Sequence, residues 1–107
     1  MLSQNDKKFY LENGYLILND KLDKQTIINL QNATQQMINE FKKNQESFTN
    51  DKKRNISQHG KMFLSNRCKD YPIIDKFAKG QFIKSICKSI LGDNVYLFNE
   101  QVVNKES

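Results

Sequence analysis

The feature that most limits what this chain can fold into is its last long apolar run, Val95-Tyr96-Leu97-Phe98-Asn99-Glu100-Gln101-Val102-Val103-Asn104-Lys105, released by the turn residues Gly92-Asp93-Asn94. Its Val, Tyr, Leu and Phe fit a pleated, half-buried surface, so the run reads as a strand over 94–105. Strand alternation puts Val95, Leu97, Asn99, Gln101, Val103 and Lys105 on one face and Tyr96, Phe98, Glu100, Val102 and Asn104 on the other. Neither face is purely apolar, and polar groups are spaced along one of them. Such a strand suits a sheet covered by helices on one side and facing a lined cavity on the other, which is how a barrel-type enzyme begins.

Everything before that strand, residues 1–91, reads mainly as helix, so the fold class is α+β in one domain of 107 residues. Ser3 caps a short helix that carries Asp6 in its first turn and ends at Gly14. Tyr15-Leu16-Ile17-Leu18, bounded by Asn19-Asp20, reads as a short strand. Asp23 then opens the longest element, a helix from about Lys24 to Asn44. Ile27, Leu30, Ala33 or Thr34, Met37 and Phe41 form one stripe at helical spacing on a surface of Lys, Gln, Asn and Glu. A helix this polar persists only if the stripe is buried, and the sheet is the expected cover.

Gln45 to Lys61 shifts to Asn, Asp, Lys, Ser and Gln and reads as a loop, with Asp51-Lys52-Lys53-Arg54 a solvated basic run at its centre. His59 is the only histidine, so two-histidine metal chemistry cannot be built from this chain alone, and no local motif pairs it with Cys68. Met62-Phe63-Leu64 reads as a strand or a pocket wall. Proline is preset for a first helical turn, so a helix opens at Tyr71-Pro72 and stops at Gly80. A last helix carries Phe82, Ile83, Ile86, Cys87, Ile90 and Leu91, exits at Gly92, and is expected to be explained by core packing alone.

Composition removes several function classes. The formal charge of +5 comes from fifteen Lys and two Arg scattered along the sequence, without the stripe, Arg content or aromatic interleaving of a nucleic-acid binder. Cys68 and Cys87 are too few for a disulfide scaffold and too far apart for a C-x-x-C motif, and both are expected to be free thiols. No run is apolar enough to span a membrane and Met1 to Asp6 does not read as a signal peptide, so the expected location is cytoplasmic.

Ile90-Leu91-Gly92-Asp93-Asn94-Val95-Tyr96-Leu97-Phe98-Asn99-Glu100-Gln101-Val102-Val103-Asn104-Lys105 resembles the first core strand of the phytanoyl-CoA dioxygenase family, and Phe9 to Leu18, F-Y-x-x-N-G-Y-L-I-L, resembles that family's helix-strand opening. The resemblance implies a double-stranded β-helix of the jelly-roll or cupin type, of which this chain carries the N-terminal helices and first strands. It implies iron(II) and 2-oxoglutarate as cofactors of full-length relatives, hydroxylation of an unactivated carbon, and a small-molecule substrate. Lys105, in Asn104-Lys105, matches the family lysine that helps bind the 2-oxoglutarate carboxylate, although Glu106-Ser107 stand where the family has Pro-Pro. Gln101 and Asn99 share the Lys105 face by alternation and are candidates for the same cavity. The family's His-x-Asp iron motif follows this strand, so the 107 residues are expected to bind neither cofactor and to be inactive alone. A strand meant for a barrel leaves backbone groups open, so self-association through it is expected. The alternative reading is a small helical interaction module that uses the Ile27 to Phe41 stripe or its basic surface to bind a partner.

Overall fold

Ser3 starts the first helix as its sequence requires. In a computed structural model, which describes residues 2–44, 56–58 and 61–105, its Oγ accepts the Asp6 N–H at 3.0 Å while an Asp6 carboxylate oxygen accepts the Ser3 N–H at 3.1 Å. These reciprocal bonds satisfy donors that the first turn leaves open. Helix α1 (Gln4–Asn13) ends where Gly14 adopts a left-handed φ of 79° and donates its N–H to the Tyr10 carbonyl. The strand expected at Tyr15–Leu18 does not form. A strand exists only through a partner's backbone, and none of the described strands runs beside this segment. Tyr15 instead meets Phe9 of α1 edge-on, with ring centroids 5.4 Å apart.

Helix α2 (Lys24–Lys43) is capped by Asp23, whose carboxylate accepts the Thr26 N–H at 2.7 Å. The Thr26 side chain, followed by that backbone bond, favours the charged carboxylate and lowers its pKa. The apolar stripe buries only its second half: Ala33, Met37, Ile38 and Phe41 are buried, whereas Ile27 is exposed and Leu30 half-buried.

The cover is a three-stranded antiparallel sheet in the order β1-β2-β3, made of β1 (Ile56–Gln58), β2 (Lys61–Ser65) and β3 (Gln101–Lys105). The expected loop from Gln45 to Lys61 is therefore interrupted by β1 and ends where β2 begins. Ile56-Ser57-Gln58 carries little strand signal of its own, and its conformation comes from pairing with Phe63, Met62 and Lys61. The basic run Asp51–Arg54 and His59 lie outside the described residues. Of the two readings for Met62–Leu64, the strand is the one observed.

The final strand is shorter than the expected 94–105. β2 offers five residues to the ladder, from Lys61↔Lys105 to Ser65↔Gln101. Asn66 then turns away at φ 60°, a left-handed conformation that asparagine tolerates, and adds one last bond from its N–H to the Glu100 carbonyl at 3.1 Å. Residues 94–100 lie beyond the ladder because β2 has already turned.

Alternation sends Met62 and Leu64 toward α2, where they form one core with Met37, Ile38, Phe41 and Tyr71, and Ile74 and Val102 pack against it. A 3₁₀ turn (Cys68–Asp70) leads into α3 (Pro72–Ala78), with Pro72 in its first turn as expected. Gly80 separates α3 from α4 (Gln81–Leu91), and a Cβ there would come within 2.7 Å of the Lys76 carbonyl oxygen. No residue of α4 is buried. The expectation that core packing explains this helix is thus corrected: its apolar face is half-covered, with α3 and the extended residues 95–99 lying against it among the described residues. The architecture is α+β.

Candidate functional site

Because β2 and β3 are antiparallel, residues directly opposite share a face. The register therefore collects Lys61, Phe63 and Ser65 of β2 with Lys105, Val103 and Gln101 of β3 on the face away from α2. Gln101 and Lys105, the two residues singled out from the sequence, do share a face, which is exposed along β3, while on β2 Phe63 is half-buried and Ser65 buried. The Gln101 side-chain amide donates to Ser65 Oγ at 2.7 Å, which fixes the glutamine across the ladder. Lys105 sits directly opposite Lys61, and both are exposed. Two ammonium groups in this position repel one another, so the end of the sheet favours an anion. Asn99 lies beyond the ladder and is not brought into this group by strand pairing.

A second constellation surrounds the turn after β2. Glu100 holds it from both ends, its carbonyl accepting the Asn66 N–H and its carboxylate accepting the Cys68 N–H at 3.1 Å. Burial, followed by the nearby Glu100 carboxylate, pushes the Cys68 thiol up to about 12. At neutral pH it is a protonated, packed thiol rather than a nucleophile. Arg67 is buried beside it, its guanidinium 3.9 Å from Asp70. Lys79 pairs with Asp75 at 2.8 Å across one turn of α3 and its C-cap. Farther into the core, the Tyr71 hydroxyl donates to the Glu40 carboxylate; burial and that bond raise its pKa.

The third feature is a groove of about 270 Å³ between α4 and the extended residues 95–99, lined by Ala78, Ile83, Cys87, Val95, Leu97 and Phe98. Lys79 and Lys84 also border it. Lys61, Ser65 and Glu100 carried no signal in the sequence, because their neighbours depend on the β2–β3 register.

Among the described residues, no cluster of three or more His, Cys, Asp or Glu is placed to hold a metal ion. These residues by themselves do not fit an iron centre. Lys61 and Lys105, opposite one another and both exposed, put positive charge at this end of the sheet. No helix among the described residues is long and apolar enough to cross a membrane. No protein-family profile, curated protein or solved structure matches this chain.

Proposed function

We propose that this chain is the opening segment of a phytanoyl-CoA dioxygenase-like oxygenase dependent on iron(II) and 2-oxoglutarate. In this reading the sheet is the start of a double-stranded β-helix and its exposed face becomes a cavity wall. The observation that carries it is the placement of Gln101, Val103 and Lys105 on the face opposite the α2-packed core. Lys105 contributes a point charge for a 2-oxoglutarate carboxylate, and the Gln101–Ser65 bond holds the adjacent rung of the ladder. Iron ligands would come from residues other than those described. Among the described strands β3 lies at the edge of the sheet, with β2 on its other side; this edge would pair with the next strand, and in the isolated 107 residues it would support self-association.

The test is oxidative decarboxylation of 2-oxoglutarate to succinate and carbon dioxide by a polypeptide extended through the rest of the barrel, supplied with iron(II) and molecular oxygen as the oxidant. Turnover is expected of the extended polypeptide and not of the 107 residues alone, with Lys105→Ala in the former raising the half-saturating 2-oxoglutarate concentration roughly tenfold or more, the value of one lost charge-assisted bond, without unfolding the protein. An active protein whose 2-oxoglutarate requirement ignores Lys105→Ala would refute the role of Lys105, and an extended polypeptide without turnover would refute the oxygenase. A helical interaction module is the second reading. Within the stripe it would rely on the exposed Ile27, since Met37 and Phe41 are buried, or else on the basic surface.

A further inference from the structure

We propose that the groove between α4 and residues 95–99 binds a free medium-chain carboxylate, with its hydrocarbon chain along Ile83, Cys87 and Leu97 and its head group at Lys84. This site is separate from the anion-favouring end of the sheet and does not depend on the oxygenase reading.

Three observations support it. The first is shape and chemistry: the lining is almost wholly apolar, with lysines at the border, the composition of a small-ligand site rather than of a hydrated cleft. The second is size. Benzene's six carbons occupy a cavity of about 150 Å³, so by proportion a groove of about 270 Å³ accommodates a chain of roughly ten carbons. The third is charge: the ionisable side chains that line the groove are Lys79, Lys84, Cys87 and Tyr96, with no carboxylate among them. Lys79 is neutralised by Asp75 at 2.8 Å, whereas Lys84 is exposed, one residue from Ile83. An apolar chain ending in an anion therefore matches the groove, while a cationic amphiphile would meet two lysines.

Cys87 provides the readout, since it lines the groove and is half-buried, whereas Cys68 is buried in the protein interior. Decanoate, titrated against alkylation by N-ethylmaleimide with the modified site mapped by mass spectrometry, should slow labelling of Cys87 in a saturable way. Octanoate, two methylenes shorter, should need about fifteenfold more to give the same protection. Lys84→Glu should weaken protection by decanoate severalfold and leave protection by decanol unchanged. Equal protection by decanoate and decanol, with no effect of Lys84→Glu, would overturn the carboxylate assignment. Unprotected Cys87 at millimolar decanoate would overturn the site, and so would faster labelling of Cys68, which would mark detergent-like unfolding instead of binding.

Discussion

Two amphipathic helices in this protein meet different fates. Helix α2 carries a broken stripe on a strongly polar surface, yet it supplies Met37, Ile38 and Phe41 to the core. Helix α4, with Phe82, Ile83, Ile86, Cys87 and Ile90 closely spaced on one side, is the more apolar of the two and buries none of them. An amphipathic pattern states which face needs cover; it does not supply the cover. The sheet gives α2 a surface two strands wide at Met62, Leu64 and Val102, whereas α4 has the short helix α3 and one extended segment, with a groove left between α4 and that segment.

The comparison breaks if equivalent truncations on the two helices cost the same. Phe41→Ala removes a ring with no exposed surface and should destabilise the fold by about 3 to 5 kcal/mol, a large share of a domain's total. Ile86→Ala, at a half-buried position, should cost roughly 1 to 2 kcal/mol. Chemical denaturation of both variants measures the difference, and parity would mean that α4 is as firmly packed as α2.

The Tyr71 hydroxyl sharpens the α2 side of the contrast, because it ties the core to Glu40 on α2. Tyr71→Phe keeps the ring and removes the donor, and should cost about 1.5 to 3 kcal/mol, the range for a bond to a charged acceptor. A neutral result in the same denaturation experiment would place the stabilisation in the ring alone.

The cysteines report on the two regions by pH. The folded Cys68 thiol titrates near 12 against an ordinary 9.0, so folding favours its protonated form. Its contribution is therefore fully present below pH 9 and is lost as pH rises from about 9 toward 12. Stability should fall more gently across that window in Cys68→Ala than in the wild type, as followed by denaturation midpoints. Cys87, at the groove, should react with a thiol reagent well before Cys68 does, and equal rates would show the turn after β2 to be open.

The smallest effect belongs to α1, which buries no residue and is held by its own caps. Ser3→Ala should cost about 1 kcal/mol of local helix stability, seen as faster amide exchange over Gln4–Asn13 with little change in the global midpoint. A matching global loss would show α1 to be docked more tightly than its exposure indicates.

Local signals in the sequence located the four described α-helices to within a residue or two. Ser3, Asp23, Pro72, Gly14 and Gly92 mark helix ends through bonds or backbone angles that involve only near neighbours, so their meaning survives whatever the rest of the chain does. Alternation likewise placed Gln101 and Lys105 on one face before any partner strand was known. Pairing was another matter. Tyr15–Leu18 had the stronger strand composition and formed none, while Ile56-Ser57-Gln58 had the weaker and became β1, because ladder bonds belong to two segments at once. The register that sets Lys61 against Lys105, the turn at Asn66 that shortens β3, and the grip of Glu100 on Cys68 all join residues more than thirty positions apart. Contacts of that range carry no local pattern. The sequence by itself determined where helices start and stop and which side chains share a face; only the tertiary structure decided which faces are covered, because burial depends on the surface another segment brings.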